Sequence, residues 1–413
     1  MTGRVVLTEA MVVPATGAPP FEGWVVVEDG RIADVVEGTG AYHGNGDVAP
    51  LGGRSLLPGL IDAHVHVTAV DVDPGEQSRH RFPSEVALLA GRELEQMLAR
   101  GFTTVRDAGG ADAGLRGAVE RGIVQGPRLL VSGRPLSQTG GHGDFRAPAE
   151  TALPEICGNH VGLESWVTDG TDGVRRAARE ELRRGADQVK IMASGGVLSL
   201  SDKLESVQYS PEELAAAVTA ARAVGTYVLA HAYTPATIRA CIEAGVRSIE
   251  HGNLLDEPTA ALMAEHGTYL VPTLVTYEAL HRDGERQGLS RGSLEKLERV
   301  VDAGLESLRI AAAAGVKIAS GSDLLGDMRA HQGREIAIKA SALSPMDAVV
   351  AATRTSAELL GLDDRIGTVE PGKEADLVVV DGDVLQDPGL AGRPETTSLV
   401  MRSGRIVHRT LAP

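Results

Sequence analysis

The chain has 413 residues, of which 43% are hydrophobic and 23% charged, and its formal net charge is −16. This composition is ordinary for a globular protein. The length is sufficient for several domains or for one barrel with insertions. A negative charge without any basic run argues against nucleic acid or an anionic membrane as the main partner. The two cysteines, Cys157 and Cys241, are too few for a disulfide framework and form no CxxC metal motif.

The start of the sequence lacks the basic segment and long apolar run of a secretory signal. No stretch of about 18 apolar residues follows that could form a membrane-spanning helix. We therefore expect a cytoplasmic protein without a membrane partner.

Both ends of the chain predict short β-strands. Near the start these are residues 5–8, 24–28 and 31–36, and near the end residues 375–381, 398–402 and 405–408. Asp29-Gly30 joins two of them and favours a tight hairpin turn, because glycine accepts the positive φ that such turns require. We predict a small β-sandwich domain built from residues 1–57 and 366–413.

Residues 58–365 alternate between apolar strands and amphipathic helices, which is typical of a parallel α/β architecture. The clearest predicted helices are 85–100, 211–224, 235–244 and 293–314. The predicted strands are residues 59–64, 103–107, 128–132, 188–192, 227–231, 248–251, 269–272 and 317–320. Eight strands favour a (β/α)8 TIM barrel. A doubly wound open sheet is the alternative, but no GxGxxG follows the first strand. Residues 132–156 predict a long loop.

Ionisable residues lie where the predicted strands end, which is where barrel enzymes place their active sites. His64 and His66 are two positions apart on the first strand, so both side chains can face one ion. Lys190 lies inside an apolar strand, where an ammonium is costly unless it is neutralised or used. The structural alternative is a lysine whose ammonium extends to solvent at the mouth of the barrel.

Three more residues complete this set. His231 and His251 end the next two strands, and Asp323 follows the last one. Each alone has a structural explanation: a histidine can be hydrogen-bonded in a core, and an aspartate can cap a helix. Taken together, the six residues indicate a metal site, since histidine and carboxylate ligands suit Zn²⁺ and similar ions.

The sequence resembles the amidohydrolase superfamily over nearly its whole length. The resemblance rests on LPGLIDAHVH, VKIMASGG, AHAYTP, IEHG and GSD, and on the closing segment RIGTVEPGKEADLVVVDG. Within the superfamily the chain looks like the imidazolonepropionase-related branch that includes Xaa-Pro dipeptidase-like enzymes. QTGGHGD at 138–144, QYSP at 208–211 and GSDLLG at 321–326 carry this closer resemblance. Lys190 argues against imidazolonepropionase activity itself, because that enzyme usually lacks the lysine.

The resemblance implies two divalent ions, with Zn²⁺ expected and Mn²⁺, Fe²⁺ or Co²⁺ as alternatives. It implies that His64, His66 and Asp323 hold one ion and His231 and His251 the other. Lys190 would bridge both ions as a carboxylated lysine. A metal-bridging hydroxide would attack the substrate, and Asp323 would shuttle its proton to the leaving group.

Two further residues are candidates for substrate binding. His142 lies in a glycine-rich loop, where it can approach a ligand and donate a hydrogen bond to its carbonyl or carboxylate. Tyr233, two residues after His231, is a candidate for binding a carboxylate. The alternatives are an exposed loop histidine and a tyrosine packed at the barrel rim. Arg106 and Asp107 are interpreted as a structural ion pair.

The sequence therefore predicts an enzyme that hydrolyses an amide bond in a small substrate, either a dipeptide such as Xaa-Pro or an N-acyl amino acid. Alternatives with the same ligands are a cyclic-amide hydrolase of the imidazolonepropionase or hydantoinase kind, a lactonase and a phosphotriesterase. The non-enzymatic alternative is a metal-stabilised scaffold. We also expect a homo-oligomer, since barrel enzymes with Ala-rich helices often associate.

Overall fold

The computed structural model describes residues 3–40, 42–146, 149–150, 161–199 and 202–411. The strands are β1 Val5–Val12, β2 Phe21–Glu28, β3 Arg31–Glu37, β4 Asp47–Pro50, β5 Ser55–Pro58, β6 Leu60–Val65, β7 Phe102–Asp107, β8 Arg128–Val131, β9 Leu136–Ser137, β10 Trp166–Val167, β11 Val189–Met192, β12 Val228–Ala232, β13 Ser248–His251, β14 Tyr269–Val271, β15 Leu377–Val380, β16 Thr397–Arg402 and β17 Arg405–Arg409.

The α-helices are α1 Pro74–His80, α2 Pro83–Ala99, α3 Ala113–Glu120, α4 Thr171–Arg183, α5 Pro211–Arg222, α6 Pro235–Ala244, α7 Glu257–His266, α8 Leu274–Asp283, α9 Arg291–Ala313, α10 Arg334–Ala342, α11 Pro345–Val350 and α12 Ser356–Leu360. Short 3₁₀ turns occupy Gly326–His331 and Pro388–Leu390, and a π-helical turn at Ala351–Thr355 joins α11 to α12. None of the helices in the described ranges is both long and apolar enough to cross a lipid bilayer.

The two ends of the chain share one sheet, in the order β17-β16-β15-β5-β1-β2-β3, with β4 paired to β1. Strand β5 lies at the junction, because it pairs in parallel with β1 and antiparallel with β15. The predicted hairpin turn is present, since Asp29 and Gly30 both have positive φ, at 50° and 81°. Strands β4 and β5 were not expected from the sequence.

The central strands run parallel, as the alternating pattern predicts. One group is β6-β7-β8, and a second runs β10-β9-β11-β12-β13-β14. The amide of Asp187 donates to the carbonyl of Val131 at 2.7 Å, which connects the two groups between β8 and β11. Residues 147–148 and 151–156 of the predicted loop, and Cys157, lie outside the described residues.

The predicted eighth strand, residues 317–320, is an extended segment with a single bridge between Leu270 and Ile318 rather than a full strand. It still connects β14 to β6, because the Leu270 amide donates to the Lys317 carbonyl at 3.0 Å and the Ala63 amide to the Ser320 carbonyl at 2.7 Å. The segment makes a short ladder because it turns at once, and the amides of residues 322 and 323 both donate to the His64 carbonyl.

Helices pack outside these strands through apolar faces. In α5 the buried residues include Leu214, Ala217, Val218 and Ala221, which repeat at the spacing of one helix face. Ser210 caps this helix with a reciprocal capping box to Glu213. Such local signals explain why the boundaries of α5 and α6 follow the sequence pattern closely.

An ion-pair network joins the shared sheet to the parallel strands. Arg128 on β8 pairs with Glu374 at 2.5 Å and with Asp376 at 2.8 Å, and the side chain of Asp376 is only 2% exposed. Arg402 on β16 donates to the carbonyl of Gly126 at 2.7 Å. Asp376 also accepts from the amide of Ser403 at 2.7 Å. Removal of Arg128 would leave a buried carboxylate without its ion-pair partner.

We expect Arg128→Met to lower the free energy of unfolding by about 3 kcal/mol, because breaking a buried pair leaves an uncompensated charge. Urea-induced unfolding measures this loss. The matched control is Arg334→Met, whose exposed pair with Glu278 should contribute less than about 1 kcal/mol. Equal losses in the two variants would contradict the role of Arg128 at the junction.

Candidate active site

The predicted site residues converge on one cavity of about 250 Å³. They reach it from the carboxyl ends of the parallel strands: His64 lies on β6, Lys190 on β11, His231 on β12 and His251 on β13. The cavity lining contains all six predicted ligands and both predicted substrate contacts, namely His64, His66, Lys190, His231, His251, Asp323, His142 and Tyr233. The sequence pattern therefore identified residues that lie together in space.

The carboxylate of Asp323 lies among three imidazoles. Its Oδ1 is 3.4 Å from Nε2 of His64 and 3.2 Å from Nε2 of His66, and its Oδ2 is 3.9 Å from Nδ1 of His251. Burial alone would raise the pKa of Asp323, but the charges and hydrogen bonds of the histidines hold this pKa well below its usual value. Ligand atoms of His64, His251 and Asp323 all lie within 4.8 Å of one another, a spacing that one metal ion can span.

Backbone carbonyls contact one ring nitrogen of two of these histidines. Nδ1 of His66 is 2.8 Å from the carbonyl of Gly109, and Nε2 of His231 is 3.2 Å from the carbonyl of Gly195. A carbonyl only accepts, so each of these nitrogens carries a proton, and the other ring nitrogen is the one available to a metal ion. Burial would lower the pKa of His66, but the hydrogen bond and the charge of Asp323 raise it above its usual value. Burial also lowers the pKa of His231 well below its usual value. A neutral imidazole with a free lone pair is a metal ligand.

Lys190 is 1% exposed. Burial lowers the pKa of its ammonium to about 8, although Glu250 and Asp323 act in the opposite direction. In the described part of the chain no carboxylate forms an ion pair with it. A fraction of this amine is therefore neutral near pH 7 to 8, and only the neutral amine can react with CO₂.

Glu250 is one residue near this site that was not expected from the sequence. Its Oε2 lies 2.6 Å from Nδ1 of His64, and Arg106 contacts both of its oxygens, at 2.9 and 3.1 Å. Burial would raise the pKa of Glu250, but the Arg106 guanidinium lowers it. The carboxylate thereby holds the proton of His64 on Nδ1 and turns Nε2 toward Asp323. The one available signal was its position two residues after Ser248, on the same side of β13.

The predicted ion pair between Arg106 and Asp107 is wrong. Arg106 pairs with Glu250 across the interior, because alternate residues of β7 face opposite sides. The carboxylate of Asp107 instead accepts hydrogen bonds from the backbone amides of Val67 at 2.8 Å and Gly109 at 2.9 Å. This arrangement fixes the turn that follows β6, where His66 lies.

Strained backbone occurs at the strand ends that carry these side chains. His251, Thr273 and Asp323 have positive φ values of 76°, 49° and 52°. Non-glycine residues rarely adopt such values, and they persist where surrounding contacts compensate for the strain. Thr273 also contacts Nδ1 of His251 through its hydroxyl at 2.8 Å. The strain places the imidazole and the carboxylate toward the cavity.

A buried carboxylate, Asp62, connects the His64 strand to the turn that carries Asp323. It accepts from the amide and hydroxyl of Ser322 at 3.0 and 2.6 Å, and from Gln332 at 2.8 Å. Gly321 permits the close approach, since a Cβ there would lie 2.6 Å from the Cβ of His64.

The two predicted substrate contacts lie beside the histidine cluster. The His142 ring stacks on His231 with centroids 4.3 Å apart and planes at 16°. The Tyr233 ring stacks on His251 at 5.3 Å, and its hydroxyl lies 2.7 Å from that of Tyr277. Tyr277 was not expected from the sequence. The remaining walls are largely apolar and include Val72, Phe145, Leu163, Met192, Val197, Leu198, Leu280, Leu289 and Leu325.

Comparisons with known proteins agree with this geometry. The amidohydrolase family profile matches residues 55–407. A crystal structure of a prolidase complexed with N-methylphosphonate-L-proline is 43% identical, with a TM-score of 0.95 over 98% of this chain and 100% of that one. A Xaa-Pro dipeptidase with methionine in its active site is 29% identical, with a TM-score of 0.88 over 98% of this chain and 99% of that one.

Ochratoxinase from Aspergillus niger is also similar, at 33% identity over 362 residues, which is 85% of this chain and 75% of the relative. The predicted resemblance to the superfamily and to its Xaa-Pro dipeptidase-like branch is thereby confirmed. The chain belongs to the amidohydrolase family and is a hydrolase of that family.

Proposed function

We propose that the protein hydrolyses the amide bond of a small substrate, either a dipeptide such as Xaa-Pro or an N-acyl amino acid. The observation that carries this proposal is the convergence of His64, His66, Lys190, His231, His251 and Asp323 on one cavity. The similarity to a prolidase, a Xaa-Pro dipeptidase and an ochratoxinase supports the choice of substrate.

We infer that the donor set fits two divalent ions. His64, His66 and Asp323 would hold one ion, His231 and His251 the other, and carboxylated Lys190 both. Nitrogen and oxygen ligands of this kind suit Zn²⁺, and also Mn²⁺, Fe²⁺ or Co²⁺. When bound, the ions would supply a Lewis acid and a water of lowered pKa as nucleophile.

The residues of the chain supply the other requirements. When its neutral amine forms an N–C bond with CO₂ and releases a proton, Lys190 becomes an anionic ligand. The site then no longer holds a buried ammonium. Asp323, which lies beside His64 and His66 in the cavity, would accept the proton of the nucleophile and pass it to the leaving amine. His142 and Tyr233 bind the substrate carbonyl or carboxylate from the side.

The residues that line the cavity limit the class of substrate that can bind. Apart from Lys190, no lysine or arginine of the described chain lines the cavity. The hydroxyls of Tyr233 and Tyr277, together with His142, are polar groups beside the histidine cluster, and we assign them the hydrogen bonds to a substrate carboxylate. The apolar walls favour a substrate with at least one aliphatic or aromatic side group.

We also infer the architecture around this cavity. Parallel hydrogen bonds run from β6 through β8 and β11 to β14, and residues 317–320 bond to both β14 and β6. These contacts support a closed (β/α)8 barrel over residues 58–365. The shared sheet of both chain ends supports a second, β-rich domain of residues 1–57 and 366–413, which we infer to be a β-sandwich.

A substrate screen tests the proposed function. Purified protein of measured metal content should release amines from a panel of Xaa-Pro dipeptides, other dipeptides and N-acyl amino acids. Dialysis against a chelator should abolish turnover, and Zn²⁺ or Mn²⁺ should restore it. Cyclic amides, lactones and phosphotriesters form the control panel. Turnover confined to that panel, or amide hydrolysis that survives metal removal, would overturn the proposal.

Lys190→Ala tests the bridging ligand. We expect metal content to fall and the rate to drop by several orders of magnitude, because both ions lose a shared anionic oxygen. Short carboxylic acids such as acetate should restore part of the rate. Lys317→Ala is the control, since that lysine forms an exposed pair with Glu358. Full metal content and near-normal turnover in Lys190→Ala would refute the bridging role.

Glu250→Gln tests the orientation of His64. We expect metal affinity to fall on the order of 10- to 100-fold, as is typical when a carboxylate behind a histidine ligand is removed. Competition with a chromophoric chelator measures the affinity, and thermal unfolding of the metal-free protein monitors the fold. Glu278→Gln removes an exposed carboxylate that pairs with Arg334 and should leave affinity unchanged. A folded Glu250→Gln variant of normal affinity would argue against this role.

A further inference from the structure

A buried carboxylate near the cavity has no part in the mechanism described above. Asp202, in the loop after β11, has a side chain that is 3% exposed. Its Oδ2 accepts from Nε2 of Gln208 at 3.0 Å, and its Oδ1 accepts from the amide of Gly196 at 3.2 Å. Burying a carboxylate is costly unless it is hydrogen-bonded and paired, so these contacts have to be supplied by the surrounding chain.

The positive charge opposite Asp202 comes from helix α9. Nζ of Lys296 lies 3.5 Å from Oδ1 of Asp202 and donates to the carbonyls of Gly196 at 2.9 Å and Ser199 at 2.7 Å. One ammonium therefore fixes both the carboxylate and the backbone of its loop. The Asp202–Lys296 pair connects two segments that are 94 residues apart in the sequence.

The loop after β11 also contacts His142, which lies in the loop after β9. The His142 amide donates to Oε1 of Gln208 at 3.0 Å, and Nδ1 of its ring lies 3.9 Å from Oδ2 of Asp202. Among the described residues Nδ1 has no hydrogen-bond partner. On the other side of the ring, a Cβ at Gly196 would lie 2.2 Å from Cε1 of His142. The imidazole is thus enclosed between Gly196 and the His231 ring, with Nδ1 toward the carboxylate.

We propose that Asp202, fixed by Lys296, is a positioning residue that sets the orientation of His142 over His231. This inference rests on the proposed function, in which His142 contacts the substrate. The attraction between the carboxylate and an Nδ1–H favours one of the two ring orientations, since a flipped ring presents carbon instead. Asp202 does not touch the substrate and acts through the imidazole.

A simpler explanation is that Asp202 only anchors its loop to α9, and the chain offers a matched control for this. Glu205 lies in the same loop and pairs with Arg299, one turn after Lys296 on the same helix. Both of these side chains are about half exposed, at 53% and 54%. A variant at Glu205 removes a tether between the same two segments but leaves the surroundings of His142 intact.

The kinetic test compares Asp202→Asn, Lys296→Met, Lys296→Arg and Glu205→Gln, each alone and combined with His142→Ala. We expect kcat/KM to fall on the order of 10- to 100-fold in Asp202→Asn and Lys296→Met, because misplacing a group by about 1 Å costs this much. Lys296→Arg should recover part of the loss, and Glu205→Gln should stay within twofold of the wild type. In the His142→Ala background the Asp202 and Lys296 effects should disappear. Losses that multiply unchanged with His142→Ala would overturn the inference.

Crystal structures of the wild type, Asp202→Asn, Lys296→Met and Glu205→Gln provide a test that needs no activity. We expect His142 to leave its stack on His231 in the first two variants and to keep it in Glu205→Gln. An unmoved His142 ring in both variants would refute the inference. If the wild type hydrolyses no amide, the proposed function fails, and these structures still decide whether Asp202 and Lys296 position His142. Lys296→Met serves this purpose should Asp202→Asn not fold.

Discussion

Burying four imidazoles, an ammonium and a carboxylate in one cavity imposes the constraint on which the rest of this structure depends. Each group loses hydration, and each therefore needs a partner whose position is fixed. Asp323 supplies negative charge to His64 and His66 on the inner side. Glu250 and Arg106 supply a compensated pair behind His64, and neither is exposed at all. The interior between the parallel strands is consequently polar along one path and apolar elsewhere.

This constraint also explains the features around the cavity. Positive φ at His251 and Asp323 turns both side chains inward where a regular strand would direct them elsewhere. Asp62 holds the Asp323 turn against β6 through Ser322 and Gln332. The hydrogen bonds of these groups offset the backbone strain, so the chain itself holds these side chains in place. Such preorganisation reduces the entropy that binding would otherwise cost.

Much of the fold and the cluster of residues that line the cavity could be predicted from the sequence because their signals are local. His64 and His66 stand two positions apart at the end of an apolar strand, and Lys190 is conspicuous inside another. Glu250 lies inside the predicted strand 248–251, but its role was not apparent there, and Tyr277 and Asp202 carried no local signal. Their roles come from contacts with Arg106, Tyr233 and Lys296, which lie 144, 44 and 94 residues away in the chain. The sequence of residues 317–320 likewise predicts a strand. Only the contacts of this segment with β14 and β6 show that its hydrogen-bond ladder is short.

The position of β5 has a consequence for how the chain folds during synthesis. This strand lies between β1, made just before it, and β15, made after the whole central region. At a typical rate of about 5–20 residues per second, the ribosome needs tens of seconds to deliver β15. During this time the apolar edge of β5 has no antiparallel neighbour, and an open edge invites pairing with other chains. The nascent chain therefore carries this open edge until residues 377–380 have emerged.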